Sequence, residues 1–444
     1  MKQKPMADTL IHTHLAVIGS GMAGMAAAIF ARNRGMATVQ VGRASEISFA
    51  SGCLDLFSTV PGHPPRIFAD PFEGIAALVR IRPEHPYTHV TEDQIRQGFG
   101  EFTRFMASAG ICFHGPAPGT NQKIITPAGT LKPTWQVPGA MIAGTRAVAA
   151  NQRIGLVDIQ GLKGFGARQM AQTLKAKLPG ITAATIAFPG RETAGNLMCE
   201  RLAWDLESQA VMDRFIQRLR PHAAPVEVLG LPSVLSLYRF EAQRQTLEQA
   251  LDRPVFEIPT LSPSVTGMRM KEAFLEKPGG SGHHHFPVAV SRIIRDRDGF
   301  GFFVTVGQET VEVRAQYLIL ATGRFLGQGL GVKAERITEM LFNLPVTQPH
   351  DRSGWLCRDF FDPAGHPVNR AGIETDEFFR PLDADGSLYD PRLYAAGSIL
   401  AHQDWKREKS GSGIAIASAF RAVSHMASDM TLPDSDPPDG KAFP

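Results

Sequence analysis

Gly19, Gly21 and Gly24, in the segment GSGMAG, are spaced as GxGxxG and give the strongest chemical signal in the chain. That spacing has meaning only between a strand and a helix. The first glycine then allows a tight turn, the second lets backbone approach a phosphate, and the third lets the helix pack closely on the strand. The amides and positive dipole of the helix N-terminus face the anion. Residues 15–18 are a short apolar run, and residues 22–34 are Ala-rich with an apolar face closed by Gly35, so the context is met. A glycine turn built for packing alone is the plain alternative, and strand, spacing and helix together speak against it.

One expected partner is missing. Residues 39–41 read as the second strand, yet Gly42 and Arg43 stand where a Glu or Asp would hold a ribose diol. Glu46 comes too late in register to replace it. Either an adenosine end is held differently, or the bound nucleotide has none.

Further glycine segments follow in a telling order. Ser51 and Gly52 lie a short loop beyond the second strand, and Ala321-Thr322-Gly323 ends a buried strand late in the chain. Residues 393–398 (LYAAGS) form a strand ending at Gly397 and Ser398, and Ser410-Gly411-Ser412-Gly413 opens a helix. Together they resemble the flavoprotein pattern of the fumarate reductase and succinate dehydrogenase superfamily. There an N-terminal fingerprint, an ATG strand end and a C-terminal glycine strand meet around one cofactor. The expected cofactor contacts are Gly19, Gly21, Gly24, Ser51, Gly52, Thr322, Gly323, Gly397, Ser398, Gly411 and Gly413. A helix beginning at Gly411 would aim its amides at the reduced flavin's negative edge. The C-terminal glycine strand also argues against a nicotinamide-dependent reductase.

Other reactive side chains have plainer readings. His402, Arg380, Lys406, Arg407 and Lys409 have the types needed for a base and a phosphate clamp, but a charged run of this kind reads first as a solvated loop. No catalytic base is named. His283 to His285 cannot all face one ion from a strand, so a surface turn is expected and no metal site. Cys53 reads as a small buried thiol rather than a redox group. Gly161 to Gly166 (GLKGFG) lacks the P-loop ending and reads equally well as a structural turn.

The elements that must position these residues form an α/β chain. The 444 residues, 43 % hydrophobic and 20 % charged, exceed one ordinary core and exclude disorder for most of the length. A net charge of +3 is too small for a general nucleic-acid coat. Cys53, Cys112, Cys199 and Cys357 show no ligand spacing, so no iron–sulfur cluster is expected. No apolar run is long enough to span a membrane and no signal pattern precedes the first strand, so a cytoplasmic location is expected.

Residues 57–87 read as a long surface excursion. Strands near 154–159, 183–188, 226–229 and 255–258 alternate with helices near 167–177, 201–218 and 240–251, as in a parallel sheet. Alternating strands at 289–294, 301–306 and 310–313, with the run 317–320, suggest a β-meander, and 414–426 is a closing helix. The expected architecture is a doubly wound Rossmann-like flavin-binding domain with a β-meander, residues 1–120 and 261–444. An inserted second α/β domain would occupy 121–260. The tail beyond Asp429 reads as frayed.

The likeness extends along nearly the whole chain. SFASGCLDLFS (48–58), ITPAGTLKPTW (125–135), PTLSPSVTGMRM (259–270), ILATGRFLGQGL (319–330) and AAGSIL (395–400) are similar to segments of the B-subunit family of anaerobic glycerol-3-phosphate dehydrogenase. That resemblance implies oxidation of sn-glycerol 3-phosphate to dihydroxyacetone phosphate. Electrons would pass to quinone through a flavoprotein A subunit and a membrane-associated iron–sulfur C subunit. It implies FMN, with FAD as the alternative, and FMN lacks the adenosine that Gly42 would fail to hold. HQDWKREK (402–409) stands out as a variable insertion. A non-catalytic electron conduit or scaffold within the same kind of complex is the competing reading.

Overall fold

The computed structural model describes residues 7–43, 46–115, 119–276 and 282–430. The chain opens on β1 (Thr9–Ile18), buried over its apolar second half, and turns through Gly19 into α1 (Met22–Asn33). Small side chains on α1 bury every residue from Ala23 to Ala31, so the helix lies close against its neighbours. β2 (Thr38–Val41) then runs parallel to β1.

Residues 57–87 are not a surface excursion. They carry α2 (Pro71–Ile81), opened by Asp70, whose carboxylate accepts the Phe72 and Glu73 N–H groups. Pro71 sits at the first helical position, where its missing N–H costs nothing. Phe57, Leu78 and Tyr87 are buried. α3 (Glu92–Ser108) follows, with Thr91 and Gln94 exchanging bonds in a capping box.

A hairpin over Gln122–Ile125 and Leu131–Thr134 leads into α4 (Gly139–Ala149) and a second sheet. Along the chain come β3 (Ile154–Ile159), α5 (Ala167–Leu174), β4 (Thr182–Ile186), α6 (Cys199–Asp205), α7 (Gln209–Ala223), β5 (Val228–Pro232), α8 (Phe240–Leu251) and β6 (Val255–Ile258). The strands pair in parallel in the order β4-β3-β5-β6, all between residues 121 and 260. The single helix expected over 201–218 is broken at 206–208. Glu207 there leaves the helix to accept from the Arg239 guanidinium at 2.9 Å.

After α9 (Val265–Glu276) the chain returns to the first sheet. The turn expected at His283 to His285 is instead β7 (His283–Phe286), an edge strand parallel to β2. Without it the outer backbone groups of β2 would lack partners. Next are β8 (Ile293–Arg295), β9 (Phe300–Val306) and β10 (Glu309–Leu320). Only the end of the expected 289–294 strand is extended, and 310–313 and 317–320 join in one long strand. These three form the antiparallel meander. The sheet order is β7-β2-β1-β10-β9-β8, with β11 (Leu393–Ala395) beside the end of β10. α10 (Trp405–Glu408) and α11 (Gly411–Asp429) complete the fold, α11 packing on α1. The sequence beyond Met430 lies outside the described residues.

Candidate functional site

Four parallel strands end at one level: Val41 pairs with Ile18, Ile18 with Leu320, and Leu320 with Ala395. The loops that leave them therefore issue from one edge of the sheet, the carboxyl edge where open α/β sheets bind ligands. Gly19 has φ +125° and its N–H donates to Val41 O at 2.7 Å. A Cβ there would overlap Ala321 O, and one at Gly24 would overlap Gly19 O. Only glycines let the turn, α1 and the end of β10 pack together.

The strand ends open into one cleft of about 680 Å³. Gly21, Met22 and Ala23 of the α1 entry form one wall, Gly411 and Ser412 of α11 another, and Ala321, Gly323 and Ser398 lie between. Neither helix N-terminus is capped by a side chain, so each offers backbone amides to a ligand.

The start of α11 is held firmly. Gly413 N–H donates to Asp55 O at 2.8 Å, and Tyr87 donates its hydroxyl to Leu56 O at 2.6 Å. Behind it the fully buried Glu408 carboxylate lies 3.3 Å from His85 and 3.5 Å from Arg82, and accepts from Ser410 Oγ at 3.1 Å. Burial favours the neutral acid, but His85, then the Asp404 N–H and then Arg82 outweigh it and hold the Glu408 carboxyl below its ordinary range.

The residues singled out in the sequence divide into two groups. Gly21, Ser51, Gly323, Ser398 and Gly411 line the cleft. Gly19, Gly24, Gly52, Gly397 and Gly413 stand behind it as packing positions. Gly52 is tight against Thr266, Gly397 against Ala23, and Gly413 against Tyr87 and Leu56. Thr322 is not in the lining, and its hydroxyl oxygen is buried without a hydrogen-bond partner among the described residues.

The segment 402–409 is not a solvated loop: Gln403, Asp404, Trp405 and Lys406 line the cleft, and Glu408 is buried beneath it. The other charged candidates are engaged elsewhere. His402 contacts Glu374 at 2.6 Å, Arg380 binds Asp376 at 2.7 Å, and Arg407 donates to Asp362 O at 2.9 Å. Arg324 lines the cleft, but its guanidinium is spent on the carbonyls of Ser398, Asn369, Leu400 and Gln403.

Asp55 and Lys132, an ion pair at 2.5 Å, are lining residues that sequence reasoning missed. The signal for Asp55 was present: it is the one acid inside the apolar run 54–57. Lys132 belongs to a hairpin whose approach to the cleft no local pattern reveals. Burial pushes the Cys53 thiol up to about 11, so this lining residue stays protonated at neutral pH. In GLKGFG, Asp158 accepts the Ala167 N–H at 3.3 Å, which occupies the first amide of α5 and makes the segment a structural turn.

The donor set suits a flavin nucleotide. Two uncapped helix N-termini supply amides for a phosphate and for the electron-rich edge of a ring. Ile47, Phe49, Ala50, Ile414 and Ala415 supply apolar surface between them. Asp55 Oδ1 and Gln403 Oε1, on lining residues, are buried acceptors without hydrogen-bond partners among the described residues.

A parallel sheet whose glycine turns converge on such a cleft defines a Rossmann-like flavoprotein fold. The chain belongs to the FAD binding domain family, whose model matches residues 14–414. It is 29% identical over 432 residues to the B subunit of anaerobic glycerol-3-phosphate dehydrogenase from Vibrio vulnificus (strain YJ016), covering 93% of this chain and 96% of that one. A probable B subunit of the same kind of dehydrogenase, from Halobacterium salinarum, is 29% identical over 435 residues, covering 93% and 97%. Among solved structures, 3-ketosteroid delta1-dehydrogenase from Sterolibacterium denitrificans is similar at TM-score 0.42 and 12% identity, covering 94% of this chain and 100% of that one. E. coli quinol fumarate reductase FrdA is similar at TM-score 0.38 and 10% identity, covering 97% and 72%.

Among the described residues, no helix is long and apolar enough to cross a membrane. Nor, among them, is any group of three or more His, Cys, Asp or Glu side chains placed to hold a metal ion.

Proposed function

We propose that this chain is the B subunit of a flavin-dependent anaerobic glycerol-3-phosphate dehydrogenase, oxidising sn-glycerol 3-phosphate to dihydroxyacetone phosphate. One observation carries the reading: Gly21, Gly323 and Gly411, remote in sequence, line a single cleft between two uncapped helix N-termini. Relatives bearing that name align over 93% of the chain.

The flavin in this reading is FMN. No residue of 38–43 belongs to the cleft lining, and Ser20 crowds Gly42, its hydroxyl donating to Gly42 O at 2.9 Å. An adenosine would need room and a ribose acceptor at that strand end.

A bound flavin supplies the acceptor for the two electrons leaving the alcohol. The chain's own groups would bind the nucleotide, orient it and exclude water. The α1 amides hold the nucleotide phosphate, and the α11 amides favour negative charge at the far end of the cleft. Tyr87 and Glu408 keep α11 aimed, and apolar lining residues exclude water. Electrons then pass through a flavoprotein A subunit and an iron–sulfur C subunit to quinone, with this chain on the cytoplasmic side of the membrane. Residues 1–120 and 261–444 make up the flavin-binding unit, and 121–260 an inserted α/β unit.

Acid release and chromatography of the chromophore test the cofactor. FMN in stoichiometric amount is expected, FAD would overturn the choice of flavin, and no flavin after reconstitution would overturn the enzyme reading. Reduction of the isolated chain's flavin by glycerol 3-phosphate separates an enzyme from an electron conduit, whose flavin would stay oxidised without its partners.

A further inference from the structure

We infer that Lys132 and Lys406 form a phosphomonoester-binding pole at the α11 end of the cleft, with Asp55 placed beside it to accept a hydrogen bond from a substrate hydroxyl. This rests on the glycerol 3-phosphate reading and deepens it: the substrate phosphate sits on this chain.

The charges in the cleft lead there by elimination. Among the described residues, five charged side chains line it: Asp55, Lys132, Arg324, Asp404 and Lys406. Arg324 has four of its five N–H groups committed to backbone carbonyls, so it offers a phosphate no two-pronged grip. Asp404 is committed too, accepting from Asn369 Nδ2 at 3.0 Å and lying 3.6 Å from Arg407. The two ammonium groups remain. Lys132 gives one N–H to Asp55 Oδ2, and its other two hydrogens have no partner among the described residues. Lys406 makes no ion pair among the described residues and is exposed at the rim, with Nζ 5.4 Å from the Trp405 ring centre.

Lys409 stands just outside the lining, donating to Lys406 O at 2.8 Å. Burial, then the nearby Lys132 charge, pulls its ammonium below the ordinary range, while Asp55 and Asp404 act in the opposite sense. With Asp55 already paired to Lys132, the charges of Lys406 and Lys409 leave a net attraction for a dianion.

Asp55 has the complementary feature. Its Oδ2 holds Lys132, whereas Oδ1 is buried without a hydrogen-bond partner among the described residues, on a residue that lines the cleft. A buried carboxylate oxygen left unpaired is costly unless a ligand hydroxyl completes it. A phosphorylated polyol supplies both missing partners, an anion for the lysines and a hydroxyl for Asp55. A plain alcohol supplies one.

The test uses the full, flavin-loaded chain. Binding of glycerol 3-phosphate, glycerol and inorganic phosphate is measured by calorimetry for wild type, Lys406→Ala, Lys132→Gln, Lys132→Arg and Asp55→Asn. Flavin content is measured on each sample, and glycerol 3-phosphate oxidation is assayed in the assembled complex. Lys406→Ala carries the test if the buried pair cannot be altered without unfolding, because Lys406 is exposed.

We expect saturable binding of glycerol 3-phosphate and none of glycerol. Lys406→Ala and Lys132→Gln each weaken it about tenfold to a hundredfold, as for loss of a charged hydrogen bond, with flavin content unchanged. Lys132→Arg recovers most of the affinity, and Asp55→Asn weakens glycerol 3-phosphate more than inorganic phosphate.

A complex that oxidises glycerol 3-phosphate while the loaded chain fails to bind it overturns this site and leaves the functional reading standing. Lysine variants that lose flavin instead of substrate affinity also overturn it, since the pole would then hold the cofactor's phosphate. A chain that ignores glycerol 3-phosphate but binds inorganic phosphate in a Lys132- and Lys406-dependent manner supports the pole and overturns the substrate.

Discussion

Gly19 and Ala321 stand back to back: the α carbon of the first faces the carbonyl oxygen of the second so closely that no Cβ fits between them. The first loop and the end of the long strand β10 thus form one surface. Gly19→Ala adds a side chain where φ is +125° and where the neighbouring atom is backbone, which cannot swing aside. Strain and overlap together cost about 2–5 kcal/mol. The urea unfolding midpoint falls and bound flavin is lost, read from the visible absorbance. An unchanged midpoint with full flavin content would contradict the packed turn.

The hydroxyl of Tyr87 anchors the start of α11. Tyr87→Phe leaves Leu56 O without its 2.6 Å donor in a buried place. The loss is about 1–3 kcal/mol. Thermal unfolding measures the total, and amide hydrogen exchange locates it. Faster exchange is expected at the first turn of α11 and at residues 54–56, whereas a uniform change would argue against a local anchor.

His283 makes one side of the sheet acid-sensitive. Burial, then His285 and Arg32, lower its pKa from 6.5 to about 4, and its Nδ1 has no hydrogen-bond partner among the described residues. The folded state therefore resists protonation while the unfolded chain accepts it below 6.5. The resulting stability is complete above pH 6.5 and is lost progressively as pH falls toward 4. His283→Leu should flatten that part of a melting-temperature profile. A profile identical to wild type would show that β7 is not packed as described.

Glu408 acts in a lower window. Its folded pKa lies below 4.5, so its contribution is present above 4.5 and declines as pH drops through the depressed value. Glu408→Gln leaves His85 and Arg82 facing a neutral amide. That costs about 3–5 kcal/mol at neutral pH, as for a buried charge stripped of its partner. The gap between variant and wild type should close on acidification below 4.5, measured by denaturant titration at each pH. A gap independent of pH would mean that charge is not what Glu408 contributes.

Features carried by local pattern were legible in the sequence. The glycine turn, the buried run ending at Leu320, β6 and α8 follow from periodicity and breakers. Others depended on tertiary partners. β7 is three histidines and a phenylalanine, and only the open edge of β2 makes it a strand. The 201–218 helix is interrupted at 206–208, where Glu207 pairs with Arg239 across space. Lys406 lies in a charged run that resembles a solvated loop until Glu408 is seen buried beneath the cleft. Asp55 and Lys132 meet only because a hairpin far along the chain folds over residues 53–55.

The structure of the flavin-reconstituted chain, solved with the cofactor in place, is the sharpest check on a flavin held between two helix N-termini. We expect the flavin to span the cleft, its phosphate at the amides of Gly21 to Ala23 and its ring beside Gly323 and Gly411. Flavin bound outside that cleft, or against only one of the two helix N-termini, would refute the assignment.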